Sequence, residues 1–141
     1  MNPREANKAE GRAGVTIVKG SLGTTPLIRV AGELDHLSGT ELSAVGRQEL
    51  GVEGRVLLLD LTQCTYIDSG GLGALFKLLR EIGPMGMLGL IGVNSDVFRI
   101  LEIVGLPRMA SLRSFKNIAE ARAALAPDAD VRVRTVPPGR R

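Results

Sequence analysis

Apolar and polar positions alternate in blocks along the chain, and these blocks predict strands and helices in turn. Short apolar runs at Val15–Val18 and Leu27–Ala31, separated by the turn Gly20–Thr25, predict a β-hairpin. A weak helical stripe covers Leu37–Leu50. The nearly continuous apolar run RVLLLDL at Arg55–Leu61 is typical of a strand buried on both faces.

The second half of the chain continues the alternation. Ser69–Gly83 carries the clearest helical stripe, with apolar residues every three or four positions and a closing Gly-Pro pair. The other predicted elements are the strand Met87–Ile91, the helix Ser95–Val104, the strand Met109–Leu112 and the helix Lys116–Leu125. The order β β α β α β α β α predicts one α/β domain. We expect a mixed, mostly parallel sheet of about four to five strands with about four helices.

The two ends of the chain lack this periodicity. We predict a disordered leader over residues 1–13, the domain over 14–126 and a flexible basic tail over 127–141, in which VRVRTV could pair weakly as a strand. No apolar run approaches the ~18 residues of a membrane helix, and the leader has no signal-peptide core. The single cysteine, Cys64, excludes an internal disulfide. We therefore expect a cytoplasmic protein that binds no membrane.

Charge is unevenly distributed. The net charge is +3, yet residues 15–126 are neutral and the basic excess lies in the two ends. Aromatic residues make up only 3% of the chain and tryptophan is absent, so there is no platform on which single-stranded bases could stack. We predict no nucleic-acid partner.

Candidate chemistry is concentrated where the central strand leads into the best helix. The strand is predicted to end near Leu61, followed by the loop Thr62–Asp68. Ser69 then lies at a helix N-terminus on the sheet edge where partners meet α/β proteins. Such a terminus stabilises an anion, for example a phosphate on the serine. Gly70 and Gly71 indicate close approach of another backbone or a mobile first turn. The alternative is that Asp68 or Ser69 is an ordinary N-cap.

Catalytic and nucleotide-binding motifs are missing around Ser69. A nucleophilic serine needs a base, and His36 is the only histidine, but the G-x-S-x-G elbow is absent. The glycines that follow fit neither GxGxxG nor GxxxxGK[ST]. Asp35, Asp60 and Asp68 could gather around a cation, although one histidine and scattered carboxylates support this weakly. We predict no catalytic activity, no cofactor and no metal.

Two segments resemble the STAS domain family, above all the bacterial anti-sigma factor antagonists. They are GELDHLSG at Gly32–Gly39, and LDLT followed by YIDSGGLGAL within Leu59–Leu75. The predicted element order and the GVNS sequence before the next helix also match, so the resemblance covers about residues 15–125. There are two departures: Gly70 stands where many members have a second serine, and Gly39 where alanine is common.

The resemblance implies a switch. In this family the unphosphorylated protein binds an anti-sigma factor that is also a serine kinase, which frees a sigma factor. Phosphorylation breaks the complex and a phosphatase resets it. By motif, Ser69 is the phosphorylation site. The partner-binding residues that we expect are Asp35, His36, Asp68, Gly70 and Gly71. The alternative is a non-switching STAS scaffold or assembly subunit, such as a stressosome-like component or the partner of a lipid-transport ATPase. A monomer and a weak dimer both stay open.

Overall fold

A computed structural model describes residues 14–50, 55–125 and 131–133 of the chain. Strands and helices alternate through most of this part. In chain order the elements are β1 (Val15–Leu22), β2 (Thr25–Leu34), α1 (His36–Leu50), β3 (Val56–Ile67), α2 (Ser69–Ile82), β4 (Met87–Ile91), α3 (Ser95–Ile103), a 3₁₀ turn (Leu106–Arg108), β5 (Leu112–Phe115), α4 (Ile118–Leu125) and β6 (Val131–Val133). No helix in these ranges has both the length and the apolar character needed to cross a membrane.

The strands form one mixed sheet in the order β5-β4-β3-β2-β1-β6. The pairs β2/β3, β3/β4 and β4/β5 are parallel, and β1 is antiparallel to both β2 and β6. This confirms the predicted α/β class with a mostly parallel sheet. The edge strand β6 is added by the VRV of the predicted tail, which pairs with Gly20–Leu22 of β1. The rest of that tail and the predicted leader lie outside the described residues.

The central strand β3 is buried on both faces, as its continuous apolar run predicts. Leu57 and Leu59 enter the larger core, to which α1, α2 and α3 contribute. Leu58 faces the opposite way and joins a smaller core that includes Ala121 of α4. Because side chains alternate across a strand, a strand covered by helices on both sides needs apolar residues at consecutive positions.

The helix α2 begins and ends where its sequence indicates. Asp68 is its N-cap, and Leu75, Leu78 and Ile82 lie buried along its inner face. Gly83 ends the helix with a φ of 78°, in the left-handed region that favours glycine, and its N–H donates to the Leu79 carbonyl at 3.0 Å. These buried side chains pack α2 against the sheet, and this packing fixes the position of its first turn.

The predicted loop Thr62–Asp68 is wrong, because β3 continues as a strand through Ile67. Its β-branched and aromatic residues favour extended backbone. The facing strand β2 is also long, and it pairs with this stretch through two register shifts up to the pair Leu34/Ile67. On the other side of β3, where the pairing with β4 has ended at Asp60, the Asn94 side-chain amide donates to the Cys64 carbonyl at 3.1 Å. As a result, α1 and α2 both begin directly beyond neighbouring strand ends.

The predicted strand Met109–Leu112 is also displaced, since β5 runs from Leu112 to Phe115. Pro107 lies in the 3₁₀ turn, which the Met109 N–H extends by donating to the Leu106 carbonyl at 3.0 Å. The backbone therefore forms turns up to Ser111. The strand begins at Leu112, whose side chain packs in the larger core.

Candidate functional site

The first turns of α1 and α2 lie side by side at the carboxyl ends of β2 and β3. The link is direct, because the Asp68 N–H donates to the carbonyl of Leu34, the last residue of β2, at 3.2 Å. The predicted site residues are therefore together at one edge of the sheet. They are Asp35 and His36 at the start of α1, and Asp68, Ser69, Gly70 and Gly71 at the start of α2.

Asp68 rather than Ser69 caps α2. Its Oδ1 accepts hydrogen bonds from the N–H groups of Gly70 at 2.8 Å and Gly71 at 3.0 Å. Ser69 is the first residue of the helix and is exposed. Within the described part of the chain its hydroxyl makes no hydrogen bond to any residue, His36 included. Ser69 therefore has no structural role in the cap, and its hydroxyl stays available.

Asp35 caps α1 in a reciprocal arrangement with Ser38. Its Oδ1 accepts from the Ser38 N–H at 3.0 Å and from the Ser38 hydroxyl at 2.8 Å, and the Ser38 Oγ accepts from the Asp35 N–H at 2.9 Å. The bond from the Ser38 N–H, followed by that from its hydroxyl, holds the pKa of Asp35 below its ordinary range. Asp35 is thus ionised at neutral pH and committed to ordering the start of α1.

Glycines let the two helix starts approach each other, which is one of the two possibilities that the sequence left open for Gly70 and Gly71. A Cβ on Gly70 would lie 2.7 Å from the His36 backbone nitrogen, and one on Gly71 would press on the Leu34 carbonyl. A Cβ on Gly39 would lie 2.8 Å from the Gly70 carbonyl oxygen. No side chain fits at these three positions without movement of the backbone.

A groove of about 350 Å³ lies between α1 and α2 and opens beside Ser69. We call it the α1–α2 groove. Its lining residues are His36, Gly39, Thr40, Ser43, Ser69, Gly70, Gly73, Ala74 and Lys77. The two helices run in the same direction, since both begin at the same sheet edge, so Ser69 and His36 lie at one end and Lys77 further along.

The other candidate groups are not part of this site. Asp60 is buried and pairs with Arg29 across the sheet at 3.1 Å, so it does not gather with Asp35 and Asp68. In the residues that the structure describes, no cluster of three or more histidine, cysteine or acidic side chains could hold a metal ion. Burial raises the pKa of the Cys64 thiol, which makes it a weak nucleophile.

Two exposed apolar side chains next to these helix starts were not among the predicted site residues. Leu37 is 60% exposed in the first turn of α1, and Tyr66 is 50% exposed near the end of β3. A signal for Leu37 was present, because it falls outside the inward stripe containing Leu42. Tyr66 was hidden by the wrong loop prediction. In the strand it is exposed beside Thr65, between the buried Cys64 and Ile67, where the pairing of β2 with β3 shifts register.

Comparison with known proteins identifies the family. Residues 18–114 match the family model described as Mlab, STAS domain. The chain therefore belongs to the STAS domain family. A curated relative, the anti-sigma-B factor antagonist of Listeria monocytogenes, is 36% identical over 93 residues, which are 64% of this chain and 80% of that protein.

Solved structures share the fold. An anti-sigma factor antagonist from Mycobacterium paratuberculosis superposes with a TM-score of 0.69 at 18% identity, covering 79% of this chain and 93% of that one. The phosphorylated form of the Bacillus cell fate determinant SpoIIAA gives a TM-score of 0.57 at 20% identity, covering 75% of this chain and 98% of that one. At these identities the similarity establishes the fold alone.

Proposed function

We propose that the protein is an anti-sigma factor antagonist that works by partner switching. Its unphosphorylated form binds an anti-sigma factor with serine kinase activity and so frees a sigma factor. Phosphorylation of Ser69 by that kinase breaks the complex, and a phosphatase restores it. The protein acts in the cytoplasm by binding and has no catalytic activity of its own. The observation that carries this proposal is the exposed, unbonded Ser69 hydroxyl beside an already capped helix start.

The local geometry suits modification. Because Asp68 satisfies the Gly70 and Gly71 amides, phosphorylation of Ser69 removes no capping bond. Gly70 has no side chain, so the hydroxyl is not screened on that side. The relative from Listeria carries the name anti-sigma-B factor antagonist, and a neighbour of the same fold was solved in a phosphorylated form. Both support the proposal.

The proposed binding face surrounds Ser69. It comprises Asp35, His36, Asp68, Gly70 and Gly71, together with the exposed apolar side chains of Leu37 and Tyr66. Gly70 is partly exposed, whereas Gly71 is buried against Leu34 and supports the face from beneath. The two apolar residues supply area that a partner can remove from water. The two aspartates hold the helix starts in place, so we assign them a positioning role.

Phosphate changes the electrostatics of this face. It adds about −1.5 to −2 charges at pH 7. Asp68 already binds the Gly70 and Gly71 amides, and Lys77 lies two helical turns away, about 12 Å along the axis. A charge that becomes buried without a partner costs about 3–5 kcal/mol. Since 1.4 kcal/mol is about tenfold in affinity, we expect phosphorylation to weaken the complex by about two to three orders of magnitude.

A phosphorylation assay tests the site assignment. The partner kinase is first identified by affinity purification and mass spectrometry, and is then incubated with the chain and ATP. We expect one phosphate, on Ser69, and none on the Ser69→Ala variant. Ser95→Ala is the matched control, because Ser95 is also exposed at the first position of a helix behind a capping side chain. Equal labelling of Ser69→Ala and wild type would show that the assignment is wrong.

The non-switching scaffold is the alternative outcome of the same purification. If wild type and Ser69→Asp capture the same assembly or transporter subunits and no serine kinase, the chain is an assembly module. In that case the Ser69 hydroxyl has no regulatory role.

A further inference from the structure

Ser43 is a buried polar group that nothing within the described chain satisfies. It lies on α1 with 5% of its surface exposed, and its Oγ has no hydrogen-bond partner among the described residues. A buried hydroxyl without a partner destabilises a fold, so such groups are uncommon without a reason. Ser43 also lines the α1–α2 groove, which offers space for an external group to complete its hydrogen bonding.

The charged and polar groups that line the groove favour a negatively charged ligand group. Lys77 is the one lysine or arginine among its lining residues, and no carboxylate lines it. Thr40 uses its hydroxyl proton on the His36 carbonyl at 3.0 Å, whereas the hydroxyls of Ser43 and Ser69 remain available as donors. The capping carboxylates of Asp35 and Asp68 are bound to their own helix starts and lie outside the lining.

The groove also has room for a side chain. Most of its lining residues are small, and a Cβ built on Gly73 meets nothing within 4 Å. The salt bridge between Arg47 and Glu81, at 3.8 Å, connects the two helices beyond Lys77. The space is thus open to solvent at Gly73 and suits one extended polar side chain rather than a bulky ligand.

We propose that the α1–α2 groove receives an aspartate or glutamate side chain of the anti-sigma factor, which accepts a hydrogen bond from the Ser43 hydroxyl and pairs with Lys77. This inference rests on the proposed function and assigns the partner contact. A phosphate on Ser69 would stand at the open end of the same groove, where the partner segment that carries the carboxylate must pass.

Binding measurements with the purified cognate anti-sigma factor test this contact. We expect Ser43→Ala and Lys77→Gln each to weaken binding about tenfold or more. Lys116→Gln, which removes another exposed lysine that does not line the groove, should leave the dissociation constant unchanged. Gly73→Leu should fill the groove and weaken binding at least a hundredfold while the chain stays folded by circular dichroism.

The outcomes separate the two proposals. If wild type binds the anti-sigma factor and both Ser43→Ala and Lys77→Gln bind within twofold of it, the groove contact is overturned and the proposed function stands. If wild type binds no anti-sigma factor, the proposed function is overturned and the groove contact with it. Because Ser43→Ala removes an unsatisfied buried hydroxyl, its thermal stability should not fall. A loss of binding in that variant therefore reports the contact rather than unfolding.

A charge exchange identifies the carboxylate. Lys77→Glu should abolish binding, and replacing one aspartate or glutamate of the anti-sigma factor by lysine should restore at least a tenth of the wild-type affinity. The same partner variant should not improve binding of Lys116→Glu. If no acidic residue of the partner gives this restoration, the assignment of a carboxylate is wrong.

Discussion

At the scale of single residues, neighbours in the sequence have separate roles. Asp68 orders the first turn of α2 by binding two amides, and Ser69 next to it makes no internal bond. The two capping bonds are made by the Asp68 carboxylate, so they do not depend on the state of the Ser69 hydroxyl. Placing the cap on the preceding aspartate lets the serine carry a modification without disturbing the helix.

Asp35 provides a prediction at this scale. Asp35→Ala should lower the free energy of unfolding by about 1 kcal/mol at pH 7, because α1 loses its cap. The Ser38 hydrogen bonds lower the pKa of Asp35 in the folded chain. The carboxylate therefore stabilises the fold above about pH 4, and this contribution is lost as the pH falls through the lowered pKa.

Urea unfolding across pH 2.5–7 measures this effect, and the difference between wild type and Asp35→Ala should narrow below about pH 4. Asp96→Ala is the control, because Asp96 is an exposed aspartate that is not the N-cap of its helix, and it should change stability by less than about 0.5 kcal/mol. A difference that stays constant down to pH 2.5 would contradict the capping role.

At the scale of elements, the close approach of α1 and α2 determines which residues can occupy the site. Gly70 and Gly71 in α2 touch backbone at the end of β2 and the start of α1, whereas Gly73 in the same helix faces open space. Gly70 and Gly71 are thus needed for the close packing of the helix starts. Gly73 is not needed for packing, and its missing side chain leaves the groove open.

A pair of alanine substitutions separates these roles. Gly70→Ala should lower the free energy of unfolding by about 1–3 kcal/mol, because its Cβ meets the His36 backbone. Gly73→Ala should raise it by up to about 1 kcal/mol, because alanine favours the helix and meets no obstacle. Chemical denaturation of both variants checks this. Equal effects at the two positions would show that the helices are further apart.

The sequence alone accounts for those parts of the fold in which local pattern and packing agree. The strand Met87–Ile91 is predicted with its bounds, because it is a short continuous apolar run that both cores cover. The helix at Ser69 is predicted to within one residue, because it has a clear apolar stripe and a cap at each end. The continuation of β3 through Ile67 was missed because it depends on the matching length of β2, a long-range pairing. Ser43 was missed for a similar reason, since only the neighbouring helix makes it buried.

At the scale of the whole molecule, the proposed switch needs no change of fold. The sheet is held by two cores on opposite faces, and Ser69 lies outside both. The phosphate therefore acts on the surface that a partner covers.

Thermal unfolding gives a direct check. Phosphorylated and unphosphorylated chain should have melting temperatures within about 4 °C of each other, which corresponds to less than about 1 kcal/mol. Amide NMR shifts should change mainly at the starts of α1 and α2. A large drop in melting temperature, or shift changes across the sheet, would indicate that phosphorylation alters the fold instead.

The dissociation constant of the cognate anti-sigma factor for the two forms of this chain tests the central claim most directly. Calorimetry with chain that is fully phosphorylated on Ser69, and with the unphosphorylated chain, gives both values under the same conditions. We predict that the phosphorylated form binds about a hundredfold to a thousandfold more weakly. Affinities within threefold of each other, or tighter binding of the phosphorylated form, would contradict release by phosphorylation.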